Sequence, residues 1–374
     1  MLFESTIPEK KPRKPAFKKS DEDDFFKELN MQVHLAILGN KTAQNQAIIK
    51  SVLLLLLYFG FYSCILIFGN NTALLFCFYV LTGLSMILVF LNVFHDAAHG
   101  AIFRKKVYNE WLAYVLELFG CNTFVWKKRH LLLHHPYPNV QNWDIDVKQS
   151  DLVRIFPQSK WFSCHRYQHI YMWFLYFFYS LNWLFIRDFK DFFGKKDNYV
   201  KRVTTIPKIE YVKLFAAKLL NLFTMIGLPL IILDQKWYIV ITAFLAMHFA
   251  SSAFGVMALL STHTDEDAKF PYIGEDGMIN NTWAAYQVSA TKDFCTNSKL
   301  ANTLFGGFNH HVAHHLFPTV AHTYYPLITP LIKQYAQKHD LKYRSYPLHK
   351  AVYSHFMLLK KNGREENLFS STEI

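Results

Sequence analysis

Three histidine clusters dominate the chemistry available to this chain. They read His95-Asp96-Ala97-Ala98-His99, His130-Leu131-Leu132-Leu133-His134-His135 and His311-Val312-Ala313-His314-His315. Residues three and four apart share one face of a helix. That spacing lets His95 meet His99, His130 meet His134 with His135 beside it, and His311 meet His314 and His315, so each cluster is expected to form a local imidazole chelate. Together they offer eight ring ligands, and His263, just past an apolar block, is a candidate ninth. Structural zinc takes four ligands and catalytic zinc three from the protein, so eight or nine imidazoles suit two metal ions rather than one. Imidazole accepts zinc, copper, iron or nickel, and donor type alone leaves the metal open. Asp96, Asp144, Asp146 and Asp265 are expected to orient ring nitrogens from behind.

Other histidines carry plainer readings. His34, His169, His248 and His339 read as packed residues. His310 adjoins His311 but fits the helical spacing less well, and His165 and His322 sit near aromatic residues, suited to packing or to head-group contact.

The elements that position these clusters are apolar helices. Of 374 residues, 52% are hydrophobic and only 18% charged, whereas a soluble chain spends about a quarter on charge. Four segments approach the roughly 20 apolar residues a bilayer crossing needs: 51–69, 73–93, 214–233 and 237–260. Asn70-Asn71-Thr72 and Asp234-Gln235-Lys236 are the only breaks within the pairs, which makes two antiparallel hairpins. The first turn has no Lys or Arg, while the N-terminal segment carries Lys10, Lys11, Arg13, Lys14, Lys18 and Lys19. Positive charge collects on the cytoplasmic side, so the N-terminus is expected there and no cleaved signal peptide is expected.

Two further apolar stretches are read as non-crossing. Residues 111–119 are too few, and 170–186 are rich in Tyr, Trp and Phe, as in a helix lying on the membrane. With four crossings, all histidine clusters share the side of the N-terminus; a lone crossing at 170–186 would split them. The expected division is a cytosolic segment 1–46, a membrane domain 47–359 and a polar tail 360–374, with both termini cytoplasmic. The net charge of +12 is concentrated beside the apolar blocks, without a nucleic-acid-binding motif, so no nucleic-acid partner is expected. The five cysteines form neither a C-x-x-C pair nor a disulfide framework.

The motifs HDAAH, HLLLHH followed by PYPNVQNWDID, and GGFNHHVAHHLFP resemble those of the membrane fatty acid desaturases. RYQHIY at 166–171, Trp283-x-x-x-Gln287 and TKDF at 291–294 extend the likeness, which runs from the first apolar hairpin to Tyr335. It is greatest to the branch holding bacterial acyl-CoA and linoleoyl-CoA-type enzymes and the front-end desaturases. The resemblance implies an all-α integral-membrane fold with four transmembrane helices and a cytosolic helical cap. It also implies two non-haem iron ions held by His95, His99, His130, His134, His135, His263, His311, His314 and His315.

The activity so implied is O2-dependent insertion of a cis double bond into a fatty acyl chain, bound as a CoA thioester or in a lipid. A mid-chain methylene is neither acidic nor electrophilic, so side-chain acids and bases cannot activate it and a metal–oxygen oxidant must. The chain lacks the H-P-G-G motif of a fused cytochrome b5 domain, so a separate electron donor, of ferredoxin or cytochrome b5 type, is expected. Membrane lipid is the medium, either of the bacterial inner membrane or of the endoplasmic reticulum. Front-end relatives usually have Gln where this chain has His311, and some relatives have Asn where it has Leu259. Arg104, Lys105, Lys127 and Arg129 are candidates for attracting a phosphate-bearing head group. The competing activities are lipid hydroxylation by the same kind of centre and desaturation of a sphingolipid. A transporter would place ionisable groups deep in the spans, where His248 is the obvious candidate. HDAAH also lacks the glutamate base of an H-E-x-x-H protease.

Overall fold

The computed structural model describes residues 14–18, 24–147, 150–194, 198–271, 273 and 277–364. Lys10, Lys11, Arg13 and Lys19, used above for orientation, and the expected tail beyond Arg364 lie outside the described residues. Among those described, four helices are long and apolar enough to cross a membrane: Lys41–Phe68, Thr72–Ala98, Lys208–Ile232 and Trp237–His263. Each outruns the stretch read from hydrophobicity, because helix geometry continues into the flanking polar residues once a cap is available. Asn40 and Asn71 supply such caps, their side chains accepting from the backbone N–H of Ala43 and Leu74. At 25 to 28 residues these helices reach roughly 40 Å, beyond the ~30 Å hydrocarbon core. They are thus longer than such a core requires, and the histidines of the second and fourth lie at their ends.

The two hairpin turns meet. Gln235 donates to the carbonyls of Gly69 at 2.9 Å and Asn70 at 2.8 Å, and the N–H of Asp234 donates to the Asn70 side chain at 2.7 Å. Both turns thus lie at one end of the bundle, and His95, His99 and His263 lie at the other. The second and fourth spans are in closest contact. Gly83 lies against the fourth span so tightly that a Cβ would come within 2.1 Å of the Met247 carbonyl oxygen. The third span contains a π-helical turn at Phe223–Gly227, and the hydroxyls of Tyr62 and Tyr79 donate to the carbonyls of Thr224 and Met225. Unpaired carbonyls are costly in hydrocarbon, and these two tyrosines lock the first two spans onto the third. Outward-facing Leu53, Leu56, Leu57, Leu219 and Ile231 remain exposed, as a lipid-facing surface requires.

The segment between the hairpins is a set of short helices. Residues 106–118 form two pieces, Lys106–Ala113 and Val115–Leu118. Residues 170–186 do not form one continuous helix. The chain runs as Gln168–Tyr176, breaks at Phe177, resumes at Tyr179–Asn182 and widens into a π turn at Trp183–Arg187. Neither half is long enough to span. Ile170, Phe174, Phe177, Phe185 and Ile186 are exposed while Met172, Leu181, Trp183 and Leu184 are buried, a two-faced pattern suited to a membrane surface. Among the described residues, strand pairing is confined to two short parallel ladders, Ala16–Phe17 with Met278–Ile279 and Asp293–Phe294 with Ser345–Tyr346.

A buried ion cluster ties distant parts of this segment together. Arg129, fully buried, contacts Asp191 at 2.6 Å and Asp146 at 3.0 Å and lies over the Trp183 ring. It is therefore an internal anchor and not the surface head-group ligand considered from sequence; Arg104 and Lys105 are exposed. The close approach of Gly83 sets a test. Gly83→Leu is expected to destabilise the bundle by about 1–3 kcal/mol through overpacking. Gly60→Leu, where a Cβ meets nothing within 4 Å, should leave thermal unfolding in detergent unchanged.

Candidate metal centre

All nine candidate ligands come together, but not as three local chelates. One potential ligand nitrogen from each of His95, His99, His130, His135 and His314 lies within 4.8 Å of the others, and the same holds for His134, His263, His311 and His315. Every member is buried except the half-buried His99. His95 and His99 stay together as expected. The second cluster is divided between the groups, and so is the third, with His314 apart from His311 and His315. The cause in the second cluster is local. His130–His134 form a π turn, closed by the bond from the N–H of His135 to the carbonyl of His130 at 2.9 Å. Its i→i+5 register puts His130 and His135 on one side and His134 on the other. Another π turn, Phe90–Phe94, immediately precedes His95. Such turns recur at functional sites.

The rings are aimed inward by partners behind them. Nδ1 of His130 faces Asp146 at 3.0 Å, and Nδ1 of His134 faces Asp144 at 3.0 Å. His315 donates from Nδ1 to the Gln287 side-chain oxygen at 2.9 Å, His263 Nδ1 faces the Ala290 carbonyl at 3.3 Å and His314 Nδ1 faces the Tyr325 hydroxyl at 3.1 Å. The Nε2 atoms are thereby left pointing at one another. His95 and His130 approach to 3.1 Å, His130 and His135 to 3.1 Å, His135 and His314 to 3.0 Å, and His263 and His311 to 2.7 Å.

Those contacts test whether a metal fits. A ring whose Nδ1 proton is given to a carboxylate or carbonyl presents a bare lone pair at Nε2, as His130, His134, His263 and His315 do. Nitrogens bound at about 2.1 Å to one ion sit roughly 3 Å apart when their bonds are perpendicular, close to the spacing of these Nε2 atoms. His315 Nε2 is also buried without a hydrogen-bond partner. Burial, and then the neighbouring imidazoles, hold His130, His135, His311, His314 and His315 well below the usual histidine range, keeping them neutral as ligands must be. His134 differs: burial opposes its protonation, but the Asp144 carboxylate outweighs burial and raises its pKa.

Two of the four expected orienting carboxylates serve other purposes. Asp96 accepts from His322, 2.7 Å from Nδ1 and 3.0 Å from the backbone N–H, and His322 Nε2 lies 3.0 Å from Lys50. On a helix, neighbouring residues face different ways, so Asp96 points away from His95. Asp265 instead pairs with Lys292 at 2.7 Å and Arg344 at 3.2 Å. His310 joins neither group; its nitrogens face Thr329 and Asn302. His248 is buried beside Ser180, His169 packs edge-on to Phe356, His339 meets Glu28 and His165 faces the Asp151 carbonyl. His34 is exposed and not packed.

Several contributors were not assigned a role from sequence. Gln287 was noted only as part of a motif; it holds His315 and also donates to the His135 carbonyl at 3.0 Å, bridging the two groups. Asn139, with φ of 61°, donates to the carbonyls of His263 and Ala290. Its signal was the turn-forming PYPN stretch, where Asn tolerates the left-handed conformation.

Beside the histidines lies a cavity of about 730 Å³, reaching His130, His134, His263 and His311. Trp126, Phe178 and Leu259 are among its apolar walls, and exposed Leu152, Phe162, Cys164 and Lys190 mark its opening. Its size is ordinary for a small-molecule site, and its apolar lining suits a hydrocarbon.

Comparison with known proteins agrees with this geometry. The sequence profile described as "Fatty acid desaturase" matches residues 70–347. The chain is 31% identical over 359 residues to an "Acyl-lipid (8-3)-desaturase" of Physcomitrium patens, covering 93% of this chain and 73% of that protein. It is 30% identical over 278 residues to an "sn-1 linoleoyl-lipid 6-desaturase" of Synechocystis sp., covering 73% of this chain and 76% of that one. A "Delta(5) fatty acid desaturase A" of Dictyostelium discoideum is 29% identical, over 80% of this chain and 66% of its own length.

The role of Gln287 is open to measurement. Gln287→Leu is expected to lower metal affinity by about 10–100-fold, the usual effect of losing a ligand-orienting partner. Metal retention against a graded chelator, with thermal unfolding as control, checks this.

Proposed function

The chain belongs to the fatty acid desaturase family, and from that premise we propose that it inserts a cis double bond into an acyl chain at a histidine-held pair of iron ions. The observation that carries this reading is the convergence of nine imidazoles, in groups of five and four, at the inner end of an apolar cavity. Members of this family are membrane enzymes that desaturate fatty acyl chains. The substrate proposed is an acyl group carried in a lipid, in keeping with the acyl-lipid names of the relatives. The iron pair, when bound, supplies O2-dependent oxidation: one O2, two electrons and two protons enter, two hydrogens leave adjacent carbons, and two waters result. A separate carrier, of ferredoxin or cytochrome b5 type, provides the electrons.

The residues of the chain do the rest. His95, His99, His130, His135 and His314 hold one ion, and His134, His263, His311 and His315 hold the other. Asp144, Asp146, Gln287 and the Ala290 carbonyl fix the ring directions before any substrate arrives. Trp126, Phe178 and Leu259 confine the chain beside His130 and His263 and exclude water, which protects a reactive oxidant from quenching. In this reading both termini lie on the cytoplasmic side, together with the ends of the second and fourth spans that carry His95, His99 and His263.

Fatty-acid profiling of a host expressing the chain tests the reaction. A new cis alkene is expected with the intact chain and none with His314→Ala. A hydroxylated lipid in its place would overturn desaturation in favour of oxygen transfer. In the purified enzyme, removing iron with a chelator is expected to abolish turnover, and ferrous iron should restore it where zinc does not.

A further inference from the structure

The helix Leu348–Asn362 lies beyond the residues matched by the family profile, 70–347. It nevertheless builds the outside of the cavity. Lys360 and Lys361, read from sequence as the start of a free polar tail, belong to its last turn. Leu358 and Leu359 pack with Val153, Ile155 and Met172, all three of which line the cavity. Polar bonds stitch the same surfaces together. Gln168 donates to the Leu359 carbonyl at 2.8 Å, Arg154 to that of Asn362 at 3.0 Å and Trp161 to that of Gly363 at 3.0 Å.

At the centre of this contact is His355, wholly buried. Its Nε2 lies 2.6 Å from the Tyr176 hydroxyl, and its Nδ1 lies 2.9 Å from the Thr264 carbonyl. Nδ1 also lies 2.9 Å from the Thr264 hydroxyl, which can donate to the Leu260 carbonyl; a carbonyl only accepts, so with its proton on Nδ1 the ring donates to Thr264 and accepts from Tyr176 at Nε2. Tyr176 and Thr264 both line the cavity, and Thr264 directly follows His263. The imidazole therefore ties one cavity wall to the turn that carries a candidate metal ligand. Breaking either bond would strand a polar atom in a dry environment, so the three groups hold one arrangement.

We propose that His355 is a positioning residue: through Tyr176 it fixes the cavity wall that decides which carbons of the acyl chain lie beside the metal pair. This rests on the desaturation reading above. An acyl chain lying in this cavity passes His130, His134, His263 and His311, so a shift of the Tyr176 ring moves the chain relative to the metal pair. Displacements of about 1 Å at a reacting centre cost around a hundredfold in rate, which makes such a wall a determinant of position as well as of turnover.

The test uses the full chain in membranes with a mixture of acyl-lipid lengths, together with Tyr176→Phe, His355→Leu and His355→Gln. Double-bond position, chain-length preference, kcat and KM are read beside iron per chain. Tyr176→Phe and His355→Leu are expected to keep wild-type iron while changing the product ratio or KM by about tenfold, the scale of one misplaced methylene. His355→Gln, whose amide can donate to Thr264 and accept from Tyr176, should restore the wild-type ratio. Tyr176→Phe removes only a hydroxyl and carries the test if His355→Leu fails to fold. An unchanged product ratio and KM in Tyr176→Phe would overturn the proposal while leaving desaturation intact. Parallel loss of iron and activity would also overturn it, since His355 would then be part of the metal scaffold. Absence of any alkene from the unaltered chain would overturn both readings.

Discussion

Nine inward-facing imidazoles, eight of them buried and His99 half-buried, are what the rest of the structure is arranged around. A neutral ring has one proton, and for His130, His134, His263 and His315 a partner at Nδ1 claims it. Their Nε2 lone pairs are left pointing inward, and Nε2 of His263 lies 2.7 Å from that of His311. A metal cation placed among them would engage those lone pairs. The rest of the fold can be read as what is required to hold that cluster still: long helices with histidines at their ends, carboxylates and an amide behind the rings, and an apolar cavity that reaches their inner side.

The bundle meets these demands by separating its two ends. The hairpin turns are tied to each other by Asn70 and Gln235 at one end. The opposite end is free to carry His95, His99 and His263, with the short helices and the GGFNHH segment completing the ligand set. Within the spans, the hydroxyls of Tyr62 and Tyr79 pair with carbonyls of the third span's π turn. The buried Arg129 supports the ligand set from the segment between the hairpins, because the Asp146 it binds is the carboxylate that aims His130.

Much of this was legible in the sequence because it is local. Apolar length gives four spans, and i, i+3, i+4 spacing gives three clusters on helices. The partition of ligands was not legible. It depends on a π turn at His130–His134, which adds a residue to the register that α-helical spacing assumes, and on where the third cluster packs. Asp96 misleads for a related reason: sequence adjacency to His95 means a different helix face, and its partner, His322, is more than two hundred residues away. Arg129 resembles its basic neighbours until Asp146 and Asp191 close over it. His355 is the extreme case, a single histidine on a basic C-terminal helix whose partners, Tyr176 and Thr264, come from two distant segments.

The central claim is that the two imidazole groups each hold one iron ion. Metal analysis of the full-length protein, purified anaerobically from iron-supplied cells and quantified by mass spectrometry, addresses it most directly. Two irons per chain, falling to about one when His263 and His311 are replaced together, is the expected result. A single iron in the unaltered chain, or zinc retained in preference to iron, would contradict it.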